Sequence, residues 1–225
     1  MFNNKDFIYR KRAAYSQEGC NHAISFFEKN PDAHEAGGTG DFNRVNHKNK
    51  HCTELFLKRR NYSLFDDVLF SSLSEYIKEY DFLKERVKPF TLNPILKIQR
   101  YRPNEGYFAE HCENTGAENI QRILAWMIYL NDVTDGGYTN FPQQKRKFQP
   151  RRGDVMIWPA YFTHTHHGVT SKTQTKYIAT GWFCFRSILV DTISYDMDPN
   201  PKSYGTSSFS LLTSPKGGTL IDKKD

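Results

Sequence analysis

Long apolar runs are missing from this 225-residue chain. No stretch approaches the roughly 18 to 20 consecutive apolar residues that a spanning helix requires, and a hydrophobic share of 38% excludes a helical membrane protein. The opening residues, Met1 to Asp6, contain no apolar core of a secretory leader, so a cytoplasmic protein is expected. Cysteine is scarce as well. Cys20, Cys52, Cys112 and Cys184 are widely separated and form no CxxC pair, which excludes a zinc knuckle and a disulfide framework and leaves reduced thiols. Internal repeats are also missing. A net charge of +6 raises the question of nucleic acid, yet no nucleic-acid motif accompanies it. The basic clusters are short: Lys58 to Arg60, Lys145 to Lys147, and Arg151 with Arg152. They read as solvated loop charge, with a surface for an acidic macromolecule as the alternative.

What the chain does have is aromatic residues, 15% of the total, which suits a β-rich fold with a large-residue core. A chain of this length forms one domain that buries about 70% of its unfolded surface.

Three zones follow one another. In the first, up to about residue 90, Tyr15 to Asn30 places Cys20, Ala23, Ile24 and Phe27 at steps of three and four, which predicts a helix started near Ser16 and stopped by Asn30-Pro31. Residues 35–49 have no period and read as a loop. A second amphipathic helix is predicted over 64–84, ahead of Pro89 and Pro94. From about 91 to 186, four runs rich in β-branched and aromatic residues (95–101, 123–130, 155–158 and 177–185) predict an antiparallel sandwich or barrel. Residues 187–225 form an extension with a flexible tail.

The chemistry starts at His111-Cys112-Glu113. Residues two apart in an extended chain share a face, so His111 and Glu113 converge while Cys112 points away. One further imidazole completes a facial triad with three open positions, the arrangement that suits non-haem iron(II). Downstream, Thr163-His164-Thr165-His166-His167-Gly168 offers candidates, with His164 and His166 on one face and His167 on the other.

The surrounding run, Ile98 to Glu113, resembles the metal-strand region of the prolyl 4-hydroxylase branch of the iron(II)/2-oxoglutarate oxygenases, especially its phage-encoded members. Ile128 to Asp132, Gly136 to Pro142, Pro150 to Ile157, His166 to Val169 and Lys176 to Trp182 continue the family order. The resemblance implies a mainly β, double-stranded β-helix (jelly-roll) core supported by N-terminal α-helices. It implies His111, Glu113 and His166 as iron ligands, with His164 as the rival to His166. Lys176 takes the place of the cation for the distal carboxylate of 2-oxoglutarate, and Tyr101, Tyr129 and Thr180 flank that co-substrate. Arg122, Trp182 and Tyr107 line the substrate side. Glu113 departs from the family's usual Asp by one methylene; the retained carboxylate argues against halogenation.

The implied reaction is hydroxylation of a C–H bond, with peptidyl proline as the leading substrate, dioxygen as oxidant, succinate and carbon dioxide as co-products, and ascorbate among the ligands the family admits. Loops 37–52 and 143–152 are expected to cover the substrate. The alternatives are another amino-acid or nucleic-acid substrate on the same scaffold, a catalytically silent binding module, and a zinc hydrolase.

Overall fold

A computed structural model of the chain describes residues 5–39, 44–59 and 63–185. The first helix, α1 (Gln17–Lys29), begins where the Ser16 side chain accepts a hydrogen bond from the Gly19 amide at 3.0 Å, and it ends at Asn30 before Pro31. Cys20, Ala23 and Phe27 form its buried stripe. The second helical segment divides into α2 (Asp66–Glu79) and α3 (Phe82–Arg86), so the helix predicted over 64–84 is interrupted at Tyr80 and Asp81.

Strands make up the rest. They are β1 (Tyr9–Lys11), β2 (His34–Ala36), β3 (Gly38–Thr39), β4 (Arg44–Val45), β5 (Lys50–His51), β6 (Thr53–Lys58), β7 (Phe90–Leu92) and β8 (Ile95–Tyr101). There follow β9 (Gly106–Tyr107), β10 (Arg122–Tyr129), β11 (Thr139–Phe141), β12 (Arg146–Phe148), β13 (Val155–Pro159), β14 (His167–Gly168) and β15 (Lys176–Phe185). Eight join one antiparallel sheet in the order β1-β13-β10-β15-β8-β6-β2, with β7 beside β15. A small sheet, β12-β11-β14, and two two-stranded pairs, β3-β4 and β5-β9, complete the set. The architecture is mainly β around one large antiparallel sheet.

Alternation along the strands assigns two faces. On one face Leu55, Leu57, Leu96, Ile98, Leu124, Trp126, Ile128, Val155, Ile157, Ala179 and Phe183 pack against Cys20, Ala23 and Phe27 of α1 and Leu69, Leu73, Tyr76 and Ile77 of α2. Full burial of side chains of this size is worth about 1.5–3 kcal/mol each before entropy is subtracted, which fixes the helical layer on that face. On the other face Tyr101, Ala125, Met127, Tyr129, Met156, Trp158 and Ile178 meet Phe141 and Phe148 of the small sheet. Lys97, Gln99 and Lys176 also belong to this second face by alternation. The space between the two sheets is therefore both aromatic and polar.

The strands expected from the sequence are present with ends shifted by a residue or so. The stretch 35–49, read as a loop, holds parts of β2, β3 and β4. β1, β6 and β7 were not anticipated. β1 is three residues long and is held by its partner β13, a pairing that no local pattern announces. β1, β2 and β6 all precede residue 90, so the segment expected to be a helical support also supplies strands to the large sheet. The expected C-terminal extension, 187–225, lies outside the described residues. No helix among the described residues is long and apolar enough to cross a membrane.

Candidate active site

His111 and His166 lie on the segments that follow β9 and β13, and one isolated antiparallel bridge joins them. The His111 amide donates to the His166 carbonyl at 3.0 Å and the His166 amide to the His111 carbonyl at 2.8 Å. The Glu113 amide donates to Ala160 O at 2.9 Å. His111 is thus positioned by a two-way bridge rather than by a continuous strand. Cys112 turns away, its thiol donating to Asn114 O at 3.4 Å.

The ring nitrogens are sorted by backbone carbonyls. Nδ1 of His111 lies 3.0 Å from Ala109 O, and Nδ1 of His166 lies 3.0 Å from His164 O. A carbonyl only accepts, so each Nδ1 carries the proton and each Nε2 is left with its lone pair. Both Nε2 atoms face the same oxygen, Glu113 Oε1, at 3.6 Å from His111 and 3.4 Å from His166. The other carboxylate oxygen, Oε2, accepts from Trp182 Nε1 at 2.7 Å. Donor atoms of His111, Glu113 and His166 all lie within 4.8 Å of one another.

Surrounding rings lock the triad. Tyr107 stacks on His111 with ring centroids 3.5 Å apart, while Phe141 and Trp158 hold His166 at 5.2 and 5.1 Å. Burial pushes the Glu113 carboxyl up, but when the two imidazoles are protonated their hydrogen bonds and charge outweigh it and hold the carboxyl well below the usual carboxylate range. Burial, then the neighbouring His166, pushes His111 down, toward the neutral form a ligand needs.

Lys176 occupies the same cavity, at the start of β15 and opposite Tyr101 in register. It is buried. Its ammonium donates to Gly137 O at 3.0 Å and lies 4.7 Å from the centroid of the Tyr101 ring. Gly136 and Gly137, both at positive φ, make the turn that presents that carbonyl; a Cβ at Gly136 would sit 2.3 Å from Thr170 O. Among the described residues no carboxylate forms an ion pair with Lys176. Burial accordingly pushes its pKa down to about 8.

The other sequence candidates are distributed unevenly. Tyr101, Tyr107, Thr180 and Trp182 line the cavity. The Thr180 hydroxyl is occupied, donating to Trp126 O at 2.8 Å. Tyr129 does not reach the cavity wall: its hydroxyl is paired with Thr139 Oγ1 at 2.7 Å and with Phe148 O at 3.1 Å, and Thr139 lines the wall in front of it. Arg122 sits behind Trp182, its guanidinium 3.7 Å from that ring's centroid while Nη1 donates to Glu113 O at 2.9 Å. His164 is no rival ligand. It closes a 3-10 turn over Phe162–His164, so the extended alternation with His166 fails, and its Nε2 donates to Asp6 O at 2.8 Å. His167 pairs through β14 with Asn140 of β11.

The sequence reading did not single out Lys50, Lys97 and Gln99 on the cavity wall, or Glu54 beside them. Lys97 and Gln99 alternate with Leu96 and Ile98 in β8, a pattern that by itself reads as a solvent-facing side, and Lys50 and Glu54 lie on other strands without a local signal.

Residues 96–184 match the family model described as the 2OG-Fe(II) oxygenase superfamily. Those residues carry a 2OG-Fe(II) oxygenase domain. Over 112 residues it is 30% identical to a protein of Acanthamoeba polyphaga mimivirus assigned as a prolyl 4-hydroxylase, covering 42% of this chain and 46% of the relative. It is 25% identical over 143 residues to a protein of Arabidopsis thaliana assigned as prolyl 4-hydroxylase 9, covering 50% of each. The chain spans about half the length of the curated relatives it matches. Among solved structures, the viral collagen prolyl hydroxylase of Paramecium bursaria Chlorella virus-1, in its 2OG complex, shares the fold with a TM-score of 0.63 at 18% identity, covering 82% of this chain and 98% of that one. A Pseudomonas putida prolyl-4-hydroxylase follows at a TM-score of 0.59 and 15% identity, covering 80% and 94%.

The cofactors of the superfamily are iron(II) and 2-oxoglutarate, and the oxygenase domain described above fits both. Two imidazole lone pairs and a carboxylate oxygen pointed at one another repel until a cation lies between them. A buried ammonium without a counter-ion is relieved by a carboxylate.

Proposed function

We propose that this chain is an iron(II)- and 2-oxoglutarate-dependent dioxygenase of the prolyl 4-hydroxylase type, hydroxylating peptidyl proline with succinate and carbon dioxide as co-products. The whole chain, 1–225, is read as one oxygenase domain on a double-stranded β-helix core. The observation that carries the reading is the pairing, in one cavity, of a His/Glu/His donor set with a buried lysine that no carboxylate among the described residues neutralises.

In this reading His111 Nε2, His166 Nε2 and Glu113 Oε1 hold iron, and Lys176 binds the far carboxylate of 2-oxoglutarate beside the Tyr101 ring. Bound iron and 2-oxoglutarate supply the oxidising power, through activation of dioxygen and loss of carbon dioxide. The protein's own contribution is orientation. Ala109 O and His164 O fix the imidazole tautomers, and Trp182 Nε1 ties down the second Glu113 oxygen, so that only Oε1 is free for the metal. Arg122 backs the Trp182 ring and braces the Glu113 backbone. Tyr107 and the closely packed Phe141 and Trp158 keep water from the ligands. The 44–52 segment covers the site, because β5 pairs with β9 immediately before His111, and Lys50 of β5 reaches the cavity.

Turnover on proline-containing peptides, followed as succinate release and as a mass increase of one oxygen on proline, tests the reading, with oligonucleotides as the competing substrate. Hydroxylated peptide is the expected product. Oligonucleotide oxidation without peptide turnover overturns the proline assignment. Binding of iron and 2-oxoglutarate with no succinate from any substrate overturns the enzyme.

A further inference from the structure

The polar wall formed by Lys50, Glu54, Lys97 and Gln99 is more than iron and 2-oxoglutarate require. Glu54, on β6 opposite Gln99, is fully buried. Among the described residues its Oε1 receives Lys50, Gln99, the Cys52 thiol at 3.9 Å and, at 3.3 Å, Lys97, while Oε2 has Lys97 alone at 3.5 Å. Two ammonium groups therefore share one carboxylate.

The two lysines differ. Lys50 is 2% exposed, contacts Glu54 closely, donates to Gly38 O at 3.1 Å and lies over the Tyr107 ring. Lys97 is held loosely. Both its distances to Glu54 are long, its side chain keeps 12% exposure, and it lines the cavity beside Trp182, opposite Thr180 in register. Burial, and then the charge of Lys50, push its pKa down, so its charge is only partly compensated.

Charge accounting points the same way, and here the inference rests on the proposed function. Iron(II), Glu113, the 2-oxoglutarate dianion and Lys176 together are neutral. Among the described residues Glu54 is the carboxylate that meets Lys50 and Lys97, and it cancels only one of them. The described residues thus leave the loaded cavity one positive charge, at the loosely held lysine next to the indole on the substrate side.

We propose that Lys97 forms a carboxylate-binding subsite for the primary substrate, so that the hydroxylated residue carries a carboxylate or lies next to one. Two sources share this chemistry: the free carboxylate of a C-terminal proline, and the side chain of an Asp or Glu beside an internal proline.

Four matched peptides separate them: an internal proline next to Glu, the same with Gln, a C-terminal proline acid, and its amide. Binding is measured by calorimetry on protein loaded with manganese(II) and 2-oxoglutarate without dioxygen, and hydroxylation is measured separately with iron. At least one acidic peptide is expected to bind about tenfold tighter than its neutral twin, the scale of one charge-assisted hydrogen bond. Lys97→Met should reduce that preference to within about twofold and Lys97→Arg should keep it, with 2-oxoglutarate affinity unchanged in both. Equal binding of acidic and neutral twins by the unmutated protein overturns the subsite, whatever the variants do. So does a Lys97→Met protein that loses 2-oxoglutarate but keeps the peptide preference. Hydroxylation without any preference removes the subsite and leaves the proline reading intact. A Lys97-dependent preference in binding without hydroxylation removes the proline reading and leaves the subsite. Absence of binding by all four peptides removes both.

Discussion

Replacing Lys176 by Met is expected to make the cofactor-free protein more stable and to deprive it of 2-oxoglutarate. Lys176 is buried, and its pKa falls from an ordinary 10.5 to about 8, chiefly through desolvation. That drop corresponds to about 3 kcal/mol against the charged form. Met fills the same volume without the charge, but gives up the hydrogen bond to Gly137 O and the contact with Tyr101. Those losses return about 1–2 kcal/mol. A net gain of about 1–2 kcal/mol follows, measurable by urea unfolding at pH 7. The sign also fixes a pH dependence. Below pH 8 both states are protonated and the cost of the buried charge is fully present. Between pH 8 and 10.5 the unfolded chain holds more protons than the folded one, so this group makes stability rise with pH. The advantage of Lys176→Met should therefore shrink across that window. Affinity for 2-oxoglutarate should fall at least about a hundredfold, because the ligand carboxylate is left buried and unpaired. A Lys176→Met protein that is less stable at pH 7 and still binds 2-oxoglutarate would refute the reasoning, and would make Lys176 a satisfied structural cation.

Trp182→Phe keeps a ring under Arg122 but removes the donor to Glu113 Oε2. Manganese(II) affinity by calorimetry should fall about 10- to 100-fold with little change in thermal stability of the metal-free protein; unchanged affinity would mean the bond does not orient the carboxylate. Glu113→Asp withdraws the carboxylate by one methylene, so it should lose either Trp182 or the metal and weaken manganese binding by about tenfold or more, whereas tighter binding would show that the backbone here is already set for the shorter side chain. Shortening the 44–49 segment, whose Asn49 carbonyl accepts from the Phe108 and Ala109 amides, should raise the peptide KM more than that of 2-oxoglutarate. Equal changes in both constants would make the segment a general support for the site.

The site was more legible in the sequence than the fold around it, for physical reasons. His111, Glu113, His166 and Lys176, which the structure brings to one cavity, are residue types whose spacing along the chain survives as a pattern. Their geometry was less open to reading. His164 shared a face with His166 only if the chain stayed extended, and a 3-10 turn at Phe162–His164 broke the alternation. Tyr129 lies on the cavity side of β10, yet Thr139 of the small sheet stands in front of it, a tertiary fact without a local signal. Trp182 could be placed near the cavity by alternation, but its bond to Glu113 joins residues 69 positions apart. Lys97 and Gln99 were hidden by their own pattern, since polar residues alternating with Leu96 and Ile98 ordinarily face water. In the fold, long β-branched and aromatic strands announced themselves. Short partners such as β1 and β7 exist because longer neighbours offer edges to pair with, and β6 carries Glu54 and Lys58 where a plain apolar run was sought.

The most direct measurement is an anaerobic titration of the protein with iron(II) and 2-oxoglutarate, watched for the weak visible absorption of the keto acid chelated to iron. The account predicts that the band appears only when both are present, that Glu113→Ala and His166→Ala abolish it, and that His164→Ala leaves it. No band with both ligands at saturation, or a band that survives the loss of Glu113 and His166, would contradict it.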